Sequence, residues 1–221
     1  MQNEFDLDVY LGSALVDRYA KCGSLDRSLL VFFKLQEKNL FCWNSIIEGL
    51  AVHGYAEEAL AMFSRMEREK IKSNGVAFIS ALSACTHAGL VEEGRRRFLN
   101  MPCNISIPPE IQHYGCMVDL LCKAGLIKDA LELIESIRIV PNSIIWGALL
   151  SGCKLYKNLE IAQVAVNKLM VLEPSNSGYY ILLVNMYVES NRWNEVAKIR
   201  STTKVQGIEK NISWIQLDCN G

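Results

Sequence analysis

The sequence predicts an all-α fold, a right-handed α-solenoid of stacked antiparallel helix-turn-helix repeats. Two observations carry that expectation. The first is a recurring break: Ala20-Lys-Cys-Gly-Ser-Leu-Asp26, Val52-His-Gly-Tyr-Ala-Glu-Glu58, His87-Ala-Gly-Leu-Val-Glu-Glu93 and Lys123-Ala-Gly-Leu-Ile-Lys-Asp129, whose glycines stand 31, 35 and 36 residues apart. A period in that range marks a stack of helix pairs. Glycine suits the break because the chain leaves one helix through a left-handed residue, which costs other residues roughly 1 kcal/mol. The acidic residues just after it meet the positive end of the next helix dipole. The second observation is an apolar stripe that comes into register when units are counted from Val9, Leu40, Gly75, Ile111, Ser143 and Ser177.

Positions seven, eight and eleven of each unit form one face of a first helix. They are Leu15, Val16 and Tyr19, then Ile46, Ile47 and Leu50, then Ala81, Leu82 and Cys85, then Met117, Val118 and Leu121. Leu149, Leu150 and Cys153, and finally Leu183, Val184 and Tyr187, continue the series. In the second helix a small residue at position twenty (Ser28, Ala59, Gly94, Ala130, Ala162, with Ala197 one residue late) faces a bulky one at position twenty-four (Phe32, Phe63, Phe98, Ile134, Val166). That pairing lets the two helices of a unit approach closely. The last two units drift, with breaks at Lys157-Asn158 and at Asn191. Pro102, Pro108, Pro109, Pro141 and Pro174 are expected outside the helices, marking the unit boundaries a second time. After about Gln206 the pattern stops, and Ile212-Ser-Trp-Ile-Gln-Leu217 alternates as a short strand or an extended tail does.

Of the 221 residues half are hydrophobic, enough for a continuous core between units, and the formal net charge is −1. Such a balance excludes a polycationic nucleic-acid binder, so any RNA contact must rest on local residues. No run of 18 apolar residues is present, and no membrane partner is expected. The eight cysteines include no Cys-x-x-Cys pair, and Cys22, Cys85, Cys122 and Cys153 sit at apolar helix positions. They are expected as buried, reduced thiols in a reducing compartment. Met1–Asp8 is acidic, unlike an organelle transit peptide, and the first complete unit starts with no polar capping helix before it. The expectation is therefore the C-terminal part of a longer array.

Tetratricopeptide arrays keep a uniform period and a Trp-x-x-Leu-Gly-x-x-Tyr pattern that is missing here. The chain instead resembles a plant pentatricopeptide repeat protein of the PLS class, built from alternating standard, long and short units. Residues 9–39, with Ala14-Leu-Val-Asp-Arg-Tyr-Ala-Lys-Cys-Gly23, resemble a short unit, and 40–74, with Trp43-Asn-Ser-Ile-Ile47, a standard one. Residues 75–110, with Ala81-Leu-Ser-Ala-Cys-Thr-His-Ala-Gly-Leu-Val-Glu-Glu-Gly94, resemble the long unit, and 111–142, with His113-Tyr-Gly-Cys-Met-Val-Asp-Leu-Leu121, a short one. Residues 143–206, with Trp146-Gly-Ala-Leu-Leu-Ser-Gly-Cys153 and Tyr180-Ile-Leu-Leu-Val-Asn-Met-Tyr187, resemble the C-terminal E domain; 1–8 would end an upstream repeat and 207–221 form a tail. The family's usual Pro-Gly before Ser-Trp-Ile is missing at Lys210-Asn-Ile-Ser-Trp214.

The resemblance implies one RNA base per unit, read on the concave surface by the fifth residue and the last. Ser13 with Asn39 would favour adenine, and Asn44 with Asn74 pyrimidines, cytosine over uracil. Amides and hydroxyls both donate and accept on a base edge. The second residues Tyr10, Phe41 and Val76 would wedge beside the bases, with Gln112 a poorer wedge in the fourth unit. Ile79 with Glu110, and Gly115 with Asn142, would read weakly. Taken singly, Asn39 and Asn74 read as surface polar residues or helix caps; their register at reader positions of the array is what points to RNA contact. The four tryptophans are expected as packing anchors, and His87 as a helix-packing residue.

No catalytic residue, metal site or cofactor is expected. Zinc deaminases of nucleobases need His-x-Glu and Pro-Cys-x-x-Cys, whereas His53, His87 and His113 are followed two residues later by Tyr, Gly and Gly. The resemblance implies a site-recognition factor for C-to-U editing of organellar single-stranded RNA, in a mitochondrion rather than a chloroplast. A deaminase-domain pentatricopeptide repeat protein acting in trans and multiple organellar RNA editing factor proteins would be its partners. The alternative is a helical-repeat scaffold for protein–protein interaction with little RNA binding of its own.

Overall fold

The computed structural model describes residues 8–105 and 108–205. Among them the chain forms paired helices: α1 (Val9–Lys21), α2 (Leu25–Lys34), α3 (Leu40–Val52), α4 (Ala56–Arg68), α5 (Gly75–Ala88), α6 (Val91–Ile105), α7 (Ile111–Lys123), α8 (Ile127–Ser136), α9 (Ser143–Leu155), α10 (Leu159–Leu172), α11 (Gly178–Glu189) and α12 (Trp193–Val205). The all-helical fold of paired helices is the one the sequence predicts. First helices begin where the register places them, and α11 starts one residue late because Ser177 serves as its N-cap.

The turn between the helices of a pair repeats in atomic detail. Gly23, Gly54, Gly89 and Gly125 have φ of 75°, 86°, 69° and 80°, and in the drifted units Lys157 and Asn191 take the same conformation at 55° and 57°. One residue further on, the N–H groups of Ser24, Tyr55, Leu90, Asn158 and Arg192 donate to the carbonyls of Tyr19, Leu50, Cys85, Cys153 and Tyr187, each at 2.9 Å. Those acceptors are the eleventh residues of their units, so the six-to-one bond that closes the helix is anchored on the core stripe. Lys70, φ 59°, makes the same kind of closure at the end of α4, with the Ile71 N–H on the Met66 carbonyl at 3.1 Å. The sequence carries no glycine to announce it.

Two compact units divide at Ala124/Gly125. In the first, α1, α3, α5 and α7 pack in succession as one layer, and α2, α4 and α6 each pack on their own partner and on the following first helix. A rule invisible in the apolar stripe ties each repeat to the next. The phenylalanine at position twenty-four meets an aromatic ring at position four of the following unit: Phe32 on Trp43 at 4.8 Å, Phe63 on Phe78 at 5.1 Å and Phe98 on Tyr114 at 5.2 Å, all edge-on. Such pairs contribute about 0.5–1.5 kcal/mol each beyond the area they bury. Between α1 and α3 the backbones are close enough that a Cβ on Gly49 would lie 2.6 Å from that of Ala20. In the second unit α10 packs against α8, α9 and α11, and α11 packs against α12, around Ile134, Leu149, Leu150, Val166 and Leu183.

Several expectations need correction. α6 runs through Pro102 to Ile105, because a helix already propagating continues past a proline at the loss of one backbone bond. Ala197 is exposed and Val196 occupies the buried place at position twenty, so the last pair lacks the small residue. Cys22 is the exposed C-cap of α1, whereas Cys85, Cys122 and Cys153 are buried as expected, free of disulfides. His87 is exposed in the last turn of α5, where a basic group meets the negative end of the dipole, so it does not pack. Trp43 and Trp146 are buried anchors, but Trp193 opens α12 and is 51% exposed. Trp214 and the 212–217 segment lie outside the described residues.

Candidate nucleic-acid interface

The residue that closes one unit is the N-cap of the next first helix, and this brings it beside residue five of its own unit. Asn39 caps α3, its Oδ1 accepting the Cys42 N–H at 2.8 Å, and Asn74 caps α5 by accepting the Ala77 N–H at 3.1 Å. Because α1 packs on α3 and α3 on α5, the fifth residues reach these caps. Ser13 Oγ lies 3.0 Å from Asn39 Oδ1, and Asn44 Nδ2 donates to Asn74 Oδ1 at 3.3 Å. The two clearest sequence-predicted pairs are thus brought together, and their closing asparagines are caps as well.

Hydrogen-bond direction follows from the caps. Asn74 Oδ1 receives a backbone N–H, so it is an acceptor and Asn44 must offer it the amide nitrogen. Asn44 Oδ1 is then an acceptor without a hydrogen-bond partner although it is buried. Asn74 Nδ2 stays available as a donor. In the first pair Asn39 Oδ1 is occupied by the Cys42 N–H, leaving its Nδ2 as donor. The Ser13 hydroxyl, with the Val9 carbonyl at 2.6 Å, has one proton to give and keeps lone pairs as acceptors. Each pair presents one donor and one acceptor. Ser13 and Asn44 are buried, and Asn39 and Asn74 are half-buried, so the cap amides are the more accessible members.

The second residues form an exposed row at the starts of successive first helices. Tyr10 is 77%, Phe41 52% and Val76 48% exposed, and Gln112 continues the row. Ile79 is half-buried and Glu110 exposed, with no side-chain bond between them to match the first two pairs. Gly115 has open space where a Cβ would stand, and Asn142 caps α9 by accepting the Ile145 N–H at 3.1 Å; the two residues belong to different compact units.

Sequence reasoning missed His113, which is 1% exposed at the third position of its unit. The signal was a polar residue where the other units of this layer carry Leu11, Cys42 and Ala77. It also missed His53, whose Nε2 sits 2.9 Å from the Ala20 carbonyl and whose ring covers Gly23. Charges at the C-terminal ends of α1 and α7 are paired locally: Lys21 with Asp17 at 2.9 Å and Lys123 with Asp119 at 3.0 Å. On α6 the buried Arg97 binds Glu93 at 2.7 Å and stacks over Phe63, and the Arg96 and Arg97 guanidiniums hold the Glu93 carboxyl below the usual range.

Among the described residues no group of three His, Cys, Asp or Glu is placed to hold a metal ion, and no helix is long and apolar enough to cross a membrane. Burial pushes the Cys42 and Cys85 thiols up to about 11 and Cys153 to about 12, so these are not thiolate nucleophiles at neutral pH.

Family comparisons agree with this architecture. The PPR repeat model matches residues 13–40, 41–71 and 113–138, and the E motif model matches residues 156–216. Pentatricopeptide repeat-containing protein At1g06143 of Arabidopsis thaliana is 63% identical over 95% of this chain, which covers 36% of that protein. Its relative At1g50270 is 42% identical over 98% of the chain and 37% of its own length. The chain therefore spans little more than a third of these plant relatives. The crystal structure of maize PPR10 superposes with a TM-score of 0.76 at 20% identity, over 90% of this chain and 30% of that one. PPR10 in complex with an 18-nt psaJ RNA element superposes with a TM-score of 0.69 at 19% identity, over 87% and 29%, a likeness of fold. From its three matched repeats, its E motif and its paired-helix fold, the chain belongs to the pentatricopeptide repeat family and carries that family's E motif.

Proposed function

We propose that the chain is the RNA-recognition part of a PLS-class factor that selects sites for C-to-U editing in a plant organelle, a mitochondrion in preference to a chloroplast. The observation that carries the RNA step is the buried Asn44 Oδ1, an acceptor with no hydrogen-bond partner beside an available Asn74 donor. An unmet buried acceptor costs about 1–3 kcal/mol, which a ligand donor recovers. That acceptor is closed to bulk water in the free chain, so engaging it takes a small turn of the amide against one long bond of 3.3 Å.

One acceptor and one donor fit the Watson–Crick edge of cytosine at N4–H and N3, or of adenine at N6–H and N1. Size separates the two. The short Ser13 leaves room for a purine at the first pair, and the longer Asn44 restricts the second to a pyrimidine. Tyr10, Phe41 and Val76 supply apolar surface beside successive bases, as in other single-strand binders. Recognition here is separate from chemistry, which a deaminase-domain protein of the same family would supply in trans. Multiple organellar RNA editing factor proteins would dock on the long third repeat.

A gel-shift titration at fixed moderate salt tests the reading. Single-stranded oligonucleotides carrying adenine then pyrimidine at the two adjacent stations should bind more tightly than the reversed order, and Ser13→Asn should move the first station towards pyrimidine. Equal, weak binding throughout would reject autonomous RNA reading. The scaffold alternative would then lead, favoured by the exposed Tyr156, Val171, Leu172 and Trp193 within the E motif.

A further inference from the structure

At the third station the pattern that joins residue five to the closing residue fails, since Ile79 offers no polar atom to Glu110. A different residue spans the gap. His113 Nδ1 accepts the Glu110 backbone N–H at 3.1 Å, and His113 Nε2 lies 3.0 Å from the Gly75 carbonyl. A carbonyl only accepts and an N–H only donates, so the ring is held as the tautomer with its proton on Nε2. Glu110 closes the third unit, and Gly75 follows Asn74, which closes the second. One buried ring therefore links the backbones of two consecutive stations.

Gly75 is part of the device. A Cβ there would lie 3.1 Å from His113 Cε1 and 3.2 Å from Nε2, so the ring reaches the carbonyl because residue 75 has no side chain. The equivalent third residues of the two preceding units, Cys42 and Ala77, are too short to make such a link. We propose that His113 is a positioning residue that sets the spacing between the second and third base stations, holding Glu110 in line where the fifth residue cannot. This inference rests on the RNA-recognition reading above for what the stations bind, but the clamp itself is a property of the free chain.

Three variants of the full chain separate the two bonds. His113→Asn places an oxygen near Nδ1 and keeps the Glu110 bond alone. His113→Gln places an amide nitrogen near Nε2 and keeps the Gly75 bond alone. His113→Ala loses both. Amide hydrogen exchange without RNA should quicken about tenfold at Glu110 in His113→Ala and His113→Gln, and stay near native in His113→Asn. RNA titration should show about five- to tenfold weaker binding of an oligonucleotide spanning all stations for each of the three variants, because each breaks the link between Glu110 and Gly75, with the adenine-pyrimidine preference at the first two stations unchanged.

Native exchange at Glu110 in His113→Ala would overturn the clamp. Loss of the base preference together with affinity would reduce His113 to a folding residue and also overturn the proposal. If the native chain bound no RNA while exchange responded as expected, the recognition reading would fall and take the spacing role with it, with the clamp still visible in exchange.

Discussion

Replacing Asn74 separates what the residue does for the fold from the base contact proposed for it. Asn74→Ala removes the cap on the Ala77 N–H, a loss of about 1 kcal/mol. It also strips the Asn44 amide of its remaining partner in a buried place, which costs about 1–3 kcal/mol more. The sum, roughly 2–4 kcal/mol, should appear as a lower urea midpoint at unchanged slope. Asn74→Asp behaves differently. A carboxylate still accepts from Ala77 and from Asn44, and a negative charge at a helix N-terminus contributes about 0.3–1 kcal/mol, so stability should hold or rise. In the proposed RNA complex, however, the donor offered to the base becomes an acceptor. Cytosine presents an acceptor at N3 and loses a partner, whereas uracil presents N3–H and gains one. Exchanging one hydrogen bond of about 1–1.5 kcal/mol predicts roughly a tenfold swing towards uracil. Fluorescence anisotropy with oligonucleotides differing only at the second station reads the ratio. An Asn74→Asp protein that is fully folded and keeps a cytosine preference would refute the assigned bond directions, and an Asn74→Ala protein as stable as the native chain would refute the cap.

Other perturbations test the packing. Gly49→Ala improves helix propensity by about 1 kcal/mol but sets a Cβ 2.6 Å from Ala20, so a net loss of about 1 kcal/mol is expected in urea titration. Gly147→Ala, with open space around it, should gain up to about 1 kcal/mol; the same sign for both would sink the close-approach explanation. Phe63→Ala should cost about 3–5 kcal/mol, because Phe63 is 1% exposed and lies against both Phe78 and Arg97. Stability should also fall in alkali. The Cys42, Cys85 and Cys153 thiols are raised by burial from 9.0 to about 11, 11 and 12, so the folded chain holds protons that the unfolded chain releases. Their contribution is complete below pH 9 and is lost as pH climbs through the folded values, at roughly 1.4 kcal/mol per thiol per pH unit. Urea midpoints that stay flat from pH 9 to 10.5 would contradict this.

The helix pairs and their starts were legible in the sequence because two local rules act together. A glycine or asparagine in the left-handed region ends a helix by its own backbone freedom, and a stripe at helical spacing names the buried face. Both signals lie within one unit of chain, as do the acidic first turns that follow each break. The nearness of residue five to the cap that closes its unit, seen at Ser13 with Asn39 and at Asn44 with Asn74, was legible for the same reason, since the two stand at constant offsets. Side chains whose partners lie in the next unit were not: Phe32 needed Trp43, and His113 needed Gly75, 38 residues earlier. Trp193 and His87 misled because neither aromatic character nor a place typical of the repeat says whether a neighbouring helix arrives to cover a side chain.

What the sequence alone determined is therefore the pairing of helices, the period and the places where the first helix of each unit begins. Those are governed by backbone conformation and hydrophobic spacing over a few residues. Tertiary structure alone decided which amide oxygen is occupied by a cap, which acceptor is left without a partner, and which ring spans two repeats. Each of these depends on the direction of a hydrogen bond between units, and a direction exists only once both partners are in place.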